Sequence, residues 1–184
     1  MLVGKITQLL HQWNMEGGDS WNDVLALVYQ QLHARAAQLV SANPKSADIQ
    51  ATMLMSELYL KYKNKPQVDW QNSRHFYAHA ALTLRGIIID FLRKQRPGSH
   101  THLTQADAGV LFSESEPPPV ELMALETALQ KLEQLNASWC RVVEMRFYLG
   151  LTIEEVAAAL SISEATVNNH WALARRWLYR QLHE

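Results

Sequence analysis

Asn168, Asn169, Arg175, Arg176 and Arg180 lie within thirteen residues of one another and are side chains of the kinds that read nucleic acid. An Asn amide can donate to and accept from one adenine edge, and an Arg fork can grip guanine or a phosphate. At about 100° per residue, Ala165, Asn168, Asn169, Ala172, Arg176 and Arg180 fall on one side of a helix, with Arg175 near its edge. This surface suits the DNA major groove, and its alternative is the solvated face of an ordinary helical hairpin. A second group, Trp70, Arg74, His75, Phe76 and Tyr77, combines flat rings with cations, the pairing that holds unpaired bases and their phosphates. Any one of these rings can equally complete a core. Arg85, Arg93, Lys94 and Arg96 form the densest basic cluster. His75 and His79 are four apart, a spacing that can ligate a metal, but no third ligand or H-E-x-x-H arrangement accompanies them. No metal, cofactor or catalytic residue is expected.

The first group needs a helix-turn-helix to present it, and residues 151–177 have its signs. Thr152 and Glu155 form a capping box, and Ile153, Val156, Ala157 and Leu160 make an apolar stripe at i, i+3, i+4 and i+7. Ser161-Ile162-Ser163 interrupts that helix, Ser163 can cap the next, and Glu164 places a negative charge at its positive end. On the second helix Val167, Trp171, Ala174 and Leu178 share the face opposite the polar residues and should pack on the first.

The second group needs a rigid base as well. Phe76, Ala80, Leu84, Ile87 and Phe91 recur at helical steps and predict a helix over 73–95, preceded by a polar loop, NKPQVDWQN, around Trp70. Upstream, a short helix over 6–13 should stop at Gly17-Gly18, and a second, capped by Asp19 or Ser20, should run to about Val40 and break at Asn43-Pro44. A third is expected from roughly Ala47 to Tyr62, with Met53, Leu54, Glu57, Leu58 and Lys61 on an exposed or partner-facing side, or with its methionines as core filler. Residues 97–119 begin with Pro-Gly, end in three prolines and read as a linker. Beyond it Leu122, Leu125, Leu129 and Leu132 mark a helix, and Asn136 or Ser138 caps another that stops at Gly150. With no credible strand, the fold class is all-α: a domain over 1–96, the linker, and a helix-turn-helix domain over 120–184.

Composition agrees with a globular protein, with hydrophobic residues at 48% and charged residues at 19%. No apolar run approaches the roughly 20 residues needed to cross a bilayer, and the N-terminus lacks a signal peptide's apolar core, so no membrane insertion and a cytoplasmic location are expected. Cys140 is the only cysteine, which excludes an internal disulfide and a Cys-based zinc site, and its apolar neighbours suggest an inert core thiol. The net charge of −1 hides a division: residues 1–96 hold eleven Lys or Arg against seven Asp or Glu, and 97–120 hold none against three. Phosphate binding is therefore expected of a patch, not of the whole surface.

These residues carry a resemblance. The segment ASWCRVVEMRFYLGLTIEEVAAALSISEATVNNHWALARRWL resembles region four of the bacterial sigma-70 family of RNA polymerase sigma factors, in the two-domain extracytoplasmic function (ECF) group. TMLMSELYLKY is similar to the polymerase-binding helix of region two, and VDWQNSRHFYAHAAL with GIIIDFLRKQR to its promoter-melting and minus-ten segment. The resemblance implies a polymerase subunit that directs promoter-specific initiation. Its partners would be core RNA polymerase and promoter DNA, and an anti-sigma factor or other regulator is left open. Met53, Ser56, Glu57 and Lys61 would bind polymerase. Trp70, Asn72, Arg74, His75, Phe76 and Tyr77 would hold the opened strand, while Arg85, Arg93, Lys94 and Arg96 track phosphates. Ser163, Ala165, Thr166, Asn168, Asn169, Ala172, Arg175, Arg176 and Arg180 would read the minus-thirty-five element. Ser161 stands where glycine is usual in the family's turn, and Asn168 and Asn169 stand where basic residues are common. Two other readings remain at this point: a stand-alone helix-turn-helix regulator that binds duplex DNA without polymerase, and a metallo-hydrolase built on His75 and His79.

Overall fold

The computed structural model describes residues 2–16, 20–41, 50–63, 72–95 and 122–183. Within them the chain forms α1 (Leu2–Glu16), α2 (Ser20–Ser41), α3 (Ala51–Lys63), α4 (Ser73–Gln95), α5 (Leu122–Leu135), α6 (Ala137–Tyr148), α7 (Ile153–Leu160) and α8 (Glu164–His183). No strand occurs among the described residues, as the periodicity predicts. The expected turns at Gly17-Gly18 and Asn43-Pro44, and the linker over 97–119, lie outside them. No described helix is long and apolar enough to cross a membrane.

Local chemistry sets most helix ends. The Asn136 side chain accepts from the Ser138 and Trp139 N–H groups at 3.1 Å each and starts α6. Both halves of the capping box at α7 are present: Glu155 N–H donates to Thr152 Oγ1 at 3.1 Å, and Thr152 N–H donates to Glu155 Oε2 at 2.9 Å. Ser161 closes α7 in the left-handed region, with φ 56 and ψ 44, and its N–H reaches the Ala157 and Ala158 carbonyls. Helix α4 has the bounds its apolar spacing predicts. Helix α1 is longer than the expected 6–13, reaching from Leu2 to Glu16.

In the N-terminal group α2 lies against α1 and α3, and α4 closes the group by packing on both. The C-terminal group is α5, α6 and α7 around α8. Ile6, Leu10, Val24, Leu54, Leu58, Phe76 and Leu84 fill the first, and Leu125, Leu129, Leu132, Val143, Val156, Val167 and Leu178 fill the second; all are almost wholly buried. At about 2 kcal/mol for each large apolar side chain removed from water, this burial is what holds the short helices in place. Leu54 and Leu58 do not face outward: they anchor the helix in the core with Met55 and Tyr62, and Met53, Leu60 and the polar positions remain outside.

The two groups share one core. Helix α4 packs on α5, α6 and α7 as well as on α1 and α3, and α2 touches α6. This follows from a wide buried arc on α4. One stripe, Phe76, Ala80, Leu84 and Ile87, is buried. A second, Tyr77, Ala81, Arg85, Ile88 and Leu92, is also buried, and its Arg85 reaches α5 and α6.

Candidate nucleic-acid interface

On α8, Val167, Ala174 and Leu178 are wholly buried and Trp171 is half-buried against Arg146, whose guanidinium lies 4.7 Å from the ring centroid. With that side consumed, the opposite side is left to solvent. Ala165, Asn168, Asn169, Ala172, Arg176 and Arg180 are all exposed, so the expected reading face is brought together along one helix. Two of the other predicted contacts have structural work. Thr166 N–H donates to Ser163 Oγ at 3.1 Å and the two hydroxyls lie 2.8 Å apart, which makes them the N-terminal cap of α8. Arg175 is half-buried with its guanidinium 5.9 Å from the Trp171 ring, at the edge of the face as predicted.

At the start of α4, Asn72, Arg74 and His75 are exposed. Asn72 Oδ1 accepts from His75 N–H at 3.0 Å, so this amide caps the helix on which its neighbours sit. Together with Ala78, His79, Leu82 and, from α6, Arg141, they line a cavity of about 410 Å³. Phe76 and Tyr77 are only 1% and 2% exposed and meet edge to face. Tyr77's phenol is pushed up, first by burial and then by the carboxylate of Glu155 on α7. Trp70 and Arg96 lie outside the described residues. Arg93 and Lys94 are exposed at the other end of α4. His79 Nδ1 lies 2.8 Å from the Tyr62 hydroxyl and 3.2 Å from that of Thr83. Among the described residues no three groups are placed to hold a metal ion.

Arg85 differs from its basic neighbours. It is 6% exposed, its Nε donates to Glu126 Oε2 at 2.6 Å, and its Nη1 donates to Glu144 Oε1. Burial opposes its charge, but the two carboxylates outweigh burial and hold its pKa above the ordinary value. Glu126 uses its second oxygen to accept from Gln130 Nε2 at 2.8 Å. A second link joins the same two groups of helices. Arg35 on α2 donates from Nε to the Phe147 carbonyl and lies 5.3 Å from that ring's centroid. Its pKa is lowered to about 10, by burial and then by the nearby Arg146 cation. Gly150 makes room for it, because at φ +68 a Cβ there would stand 3.2 Å from Arg35 Cδ.

Reasoning from the sequence missed Arg35, Glu126, Glu144 and Arg141. Nothing in the neighbourhoods of Arg35, Glu126 and Glu144 sets them apart from solvated charges, since their partners are 41 to 112 residues away. It also missed Leu60, which is 45% exposed on the outer side of α3 beside Met53 at 41%, Ser56, Glu57 and Lys61. The spacing 53, 56, 57, 60, 61 is that of a single helical face, a signal that was readable.

A family model described as ECF sigma factor matches residues 3–184. No curated protein matches the chain. A chain whose described residues form helices and no strand, and which carries a capped helix-turn-helix with an exposed polar face, is matched to that family over nearly its whole length and belongs to the ECF sigma factors, whose role is in transcription initiation.

Proposed function

We propose that the chain binds core RNA polymerase and contacts promoter DNA at two places. The exposed side of α8, through Asn168, Asn169, Ala172, Arg176 and Arg180, reads the minus-thirty-five element, with Ser163, Ala165, Thr166 and Arg175 at its border. Trp70, Asn72, Arg74 and His75 meet the opened minus-ten strand, and Phe76 and Tyr77 form the wall behind them. Stacking on an aromatic ring contributes on the order of 1–3 kcal/mol per base, enough for a few contacts to offset local unpairing. Arg93, Lys94 and Arg96 follow the phosphates, and Arg85 joins them once it is released from its carboxylates. The stripe Met53, Ser56, Glu57, Leu60 and Lys61 on α3 meets the polymerase. Two exposed apolar side chains among polar ones suit a protein partner. The observation that carries this reading is the free polar face of α8 on a chain of this family.

Transcription in vitro from a library of genomic fragments, with core polymerase and mapping of RNA 5′ ends, tests it. The chain should create start sites that core polymerase alone lacks, preceded by a shared pair of elements. Trp70→Ala should impair opening more than initial binding, and Arg176→Ala should weaken upstream recognition by about 1–3 kcal/mol. Equal loss of closed-complex binding in both variants would contradict the division of roles. Sequence-specific duplex binding without any polymerase-dependent start site would favour a stand-alone regulator instead.

A further inference from the structure

The cavity at the start of α4 is lined by basic side chains from two separate parts of the chain. Arg74 and His75 stand on the first turn of α4, His79 one turn beyond His75, and Arg141 reaches in from α6. Among the described residues no carboxylate lines it, and neither guanidinium is engaged in an ion pair. Glu144 feels the charge of Arg141, but it is buried and bonded to Arg85. Two like charges facing one space repel, and an anion placed between them turns that repulsion into attraction. The rest of the lining suits more than a bare ion. Leu82 is 47% exposed, and Ala78, one turn before it, is half-buried, so part of the wall is apolar. The ring of His79 is fixed by the Tyr62 hydroxyl, and Asn72 by its bond to His75 N–H, so the polar part is already ordered. The volume of about 410 Å³ lies within the ~300–1,000 Å³ of small-molecule sites. Inorganic phosphate would leave most of it empty. A nucleoside phosphate has an anionic end for the guanidinium forks and a flat ring for the apolar wall.

We propose that this cavity binds a free nucleoside diphosphate, with its phosphates on Arg74 and Arg141 and its base against Ala78 and Leu82, and that the bound nucleotide competes with the opened promoter strand. Competition follows because Arg74 and His75 would serve both ligands. That half of the statement rests on the promoter-binding reading above; the nucleotide site itself does not.

Equilibrium dialysis of the full-length chain against radiolabelled ADP, with inorganic phosphate and adenosine as competitors, tests the site. ADP should bind once per chain and roughly tenfold or more tightly than either competitor, because neither meets both the guanidinium groups and the apolar wall. Arg141→Gln removes the one cation supplied from outside α4 and should weaken ADP about tenfold or more. Lys5→Gln removes an equal charge at an exposed position of α1 and should leave ADP binding unchanged. If Arg141→Gln loses its helical circular dichroism, Leu82→Glu replaces it: the position is exposed, and a carboxylate there should repel the phosphates to a similar extent. Absence of ADP binding, phosphate binding as tight as that of ADP, or an equal loss in Lys5→Gln overturns the proposal.

Competition is read with polymerase carrying this chain and a promoter fragment whose minus-ten element is already unpaired, without nucleoside triphosphates. At ten times its Kd, ADP should raise the half-saturating concentration about tenfold in the wild type and much less in Arg141→Gln. No rise, or an equal rise in Arg141→Gln, overturns the competition. If no polymerase–promoter complex forms, the promoter-binding reading fails, while the dialysis still decides the nucleotide site.

Discussion

Replacing Ser161 by glycine should stabilise the protein, although serine is the native residue and nothing touching it is improved. Ser161 ends α7 at φ 56 and ψ 44, the only non-glycine residue with positive φ among those described. The left-handed region costs a residue with a Cβ roughly 1–2 kcal/mol, because the Cβ crowds its own carbonyl. Glycine avoids that cost but gives the unfolded chain more freedom, which takes back about 0.5–1 kcal/mol. The Ser161 side chain is exposed, and its N–H contacts with the Ala157 and Ala158 carbonyls belong to the backbone, so no other interaction is lost. The net gain should be about 0.5–1 kcal/mol. An entropy of unfolding near 2.1 cal/mol/K per residue amounts to roughly 390 cal/mol/K for the chain, so Tm should rise by about 1–3 °C. Thermal unfolding followed by circular dichroism resolves such a shift when Ser161→Ala and Ser161→Val are run beside it. Alanine keeps the penalty and should lie near wild type, while valine, β-branched and least suited to positive φ, should lose about 1 kcal/mol or more. A Ser161→Gly protein that melts below wild type, or a Ser161→Val protein that melts with it, would refute the left-handed cap.

Other substitutions test neighbouring parts of the fold. Thr152→Ala removes one arm of the capping box and should cost about 1 kcal/mol, read as a lower urea midpoint with unchanged slope. Tyr148→Phe should be neutral or stabilising by up to about 1 kcal/mol, because its hydroxyl is buried and finds no partner among the described residues; a loss above that size in urea would show that the hydroxyl is bonded. Burial pushes the Cys140 thiol up to about 12 from an ordinary value near 9. Since the folded protein disfavours its thiolate, the stability this thiol contributes is complete below pH 9 and declines as the pH rises toward 12. Labelling by a thiol reagent at pH 8 should therefore be slow in the native protein and rapid in urea, and fast native labelling would mean that the thiol is reachable.

Much of the site could be read from the sequence wherever one helix carried all the information. The bounds of α4 follow from its apolar steps, the box at Thr152 and Glu155 from their spacing, and the free face of α8 from the positions of Val167, Ala174 and Leu178. What escaped was packing between helices far apart in the chain. A helix with one apolar stripe predicts one partner, and the second stripe of α4 hides because it contains a tyrosine and an arginine. Arg85 stands near Arg93 and Lys94 and so resembles a phosphate contact, and only Glu126 and Glu144 reveal its other use. On α3, Leu54 and Leu58 stand beside Met53, Glu57 and Lys61 in the chain, yet they belong to the buried stripe of Met55 and Tyr62.

The central claim, that this chain equips polymerase to open promoter DNA, is tested most directly by permanganate probing of unpaired thymines on a supercoiled template carrying a mapped start site. Reactive thymines should appear at the minus-ten element only when core polymerase and this chain are both present, and should fade with Trp70→Ala while duplex protection upstream persists. Upstream protection by the chain alone, with no reactive thymine once polymerase is added, would contradict it.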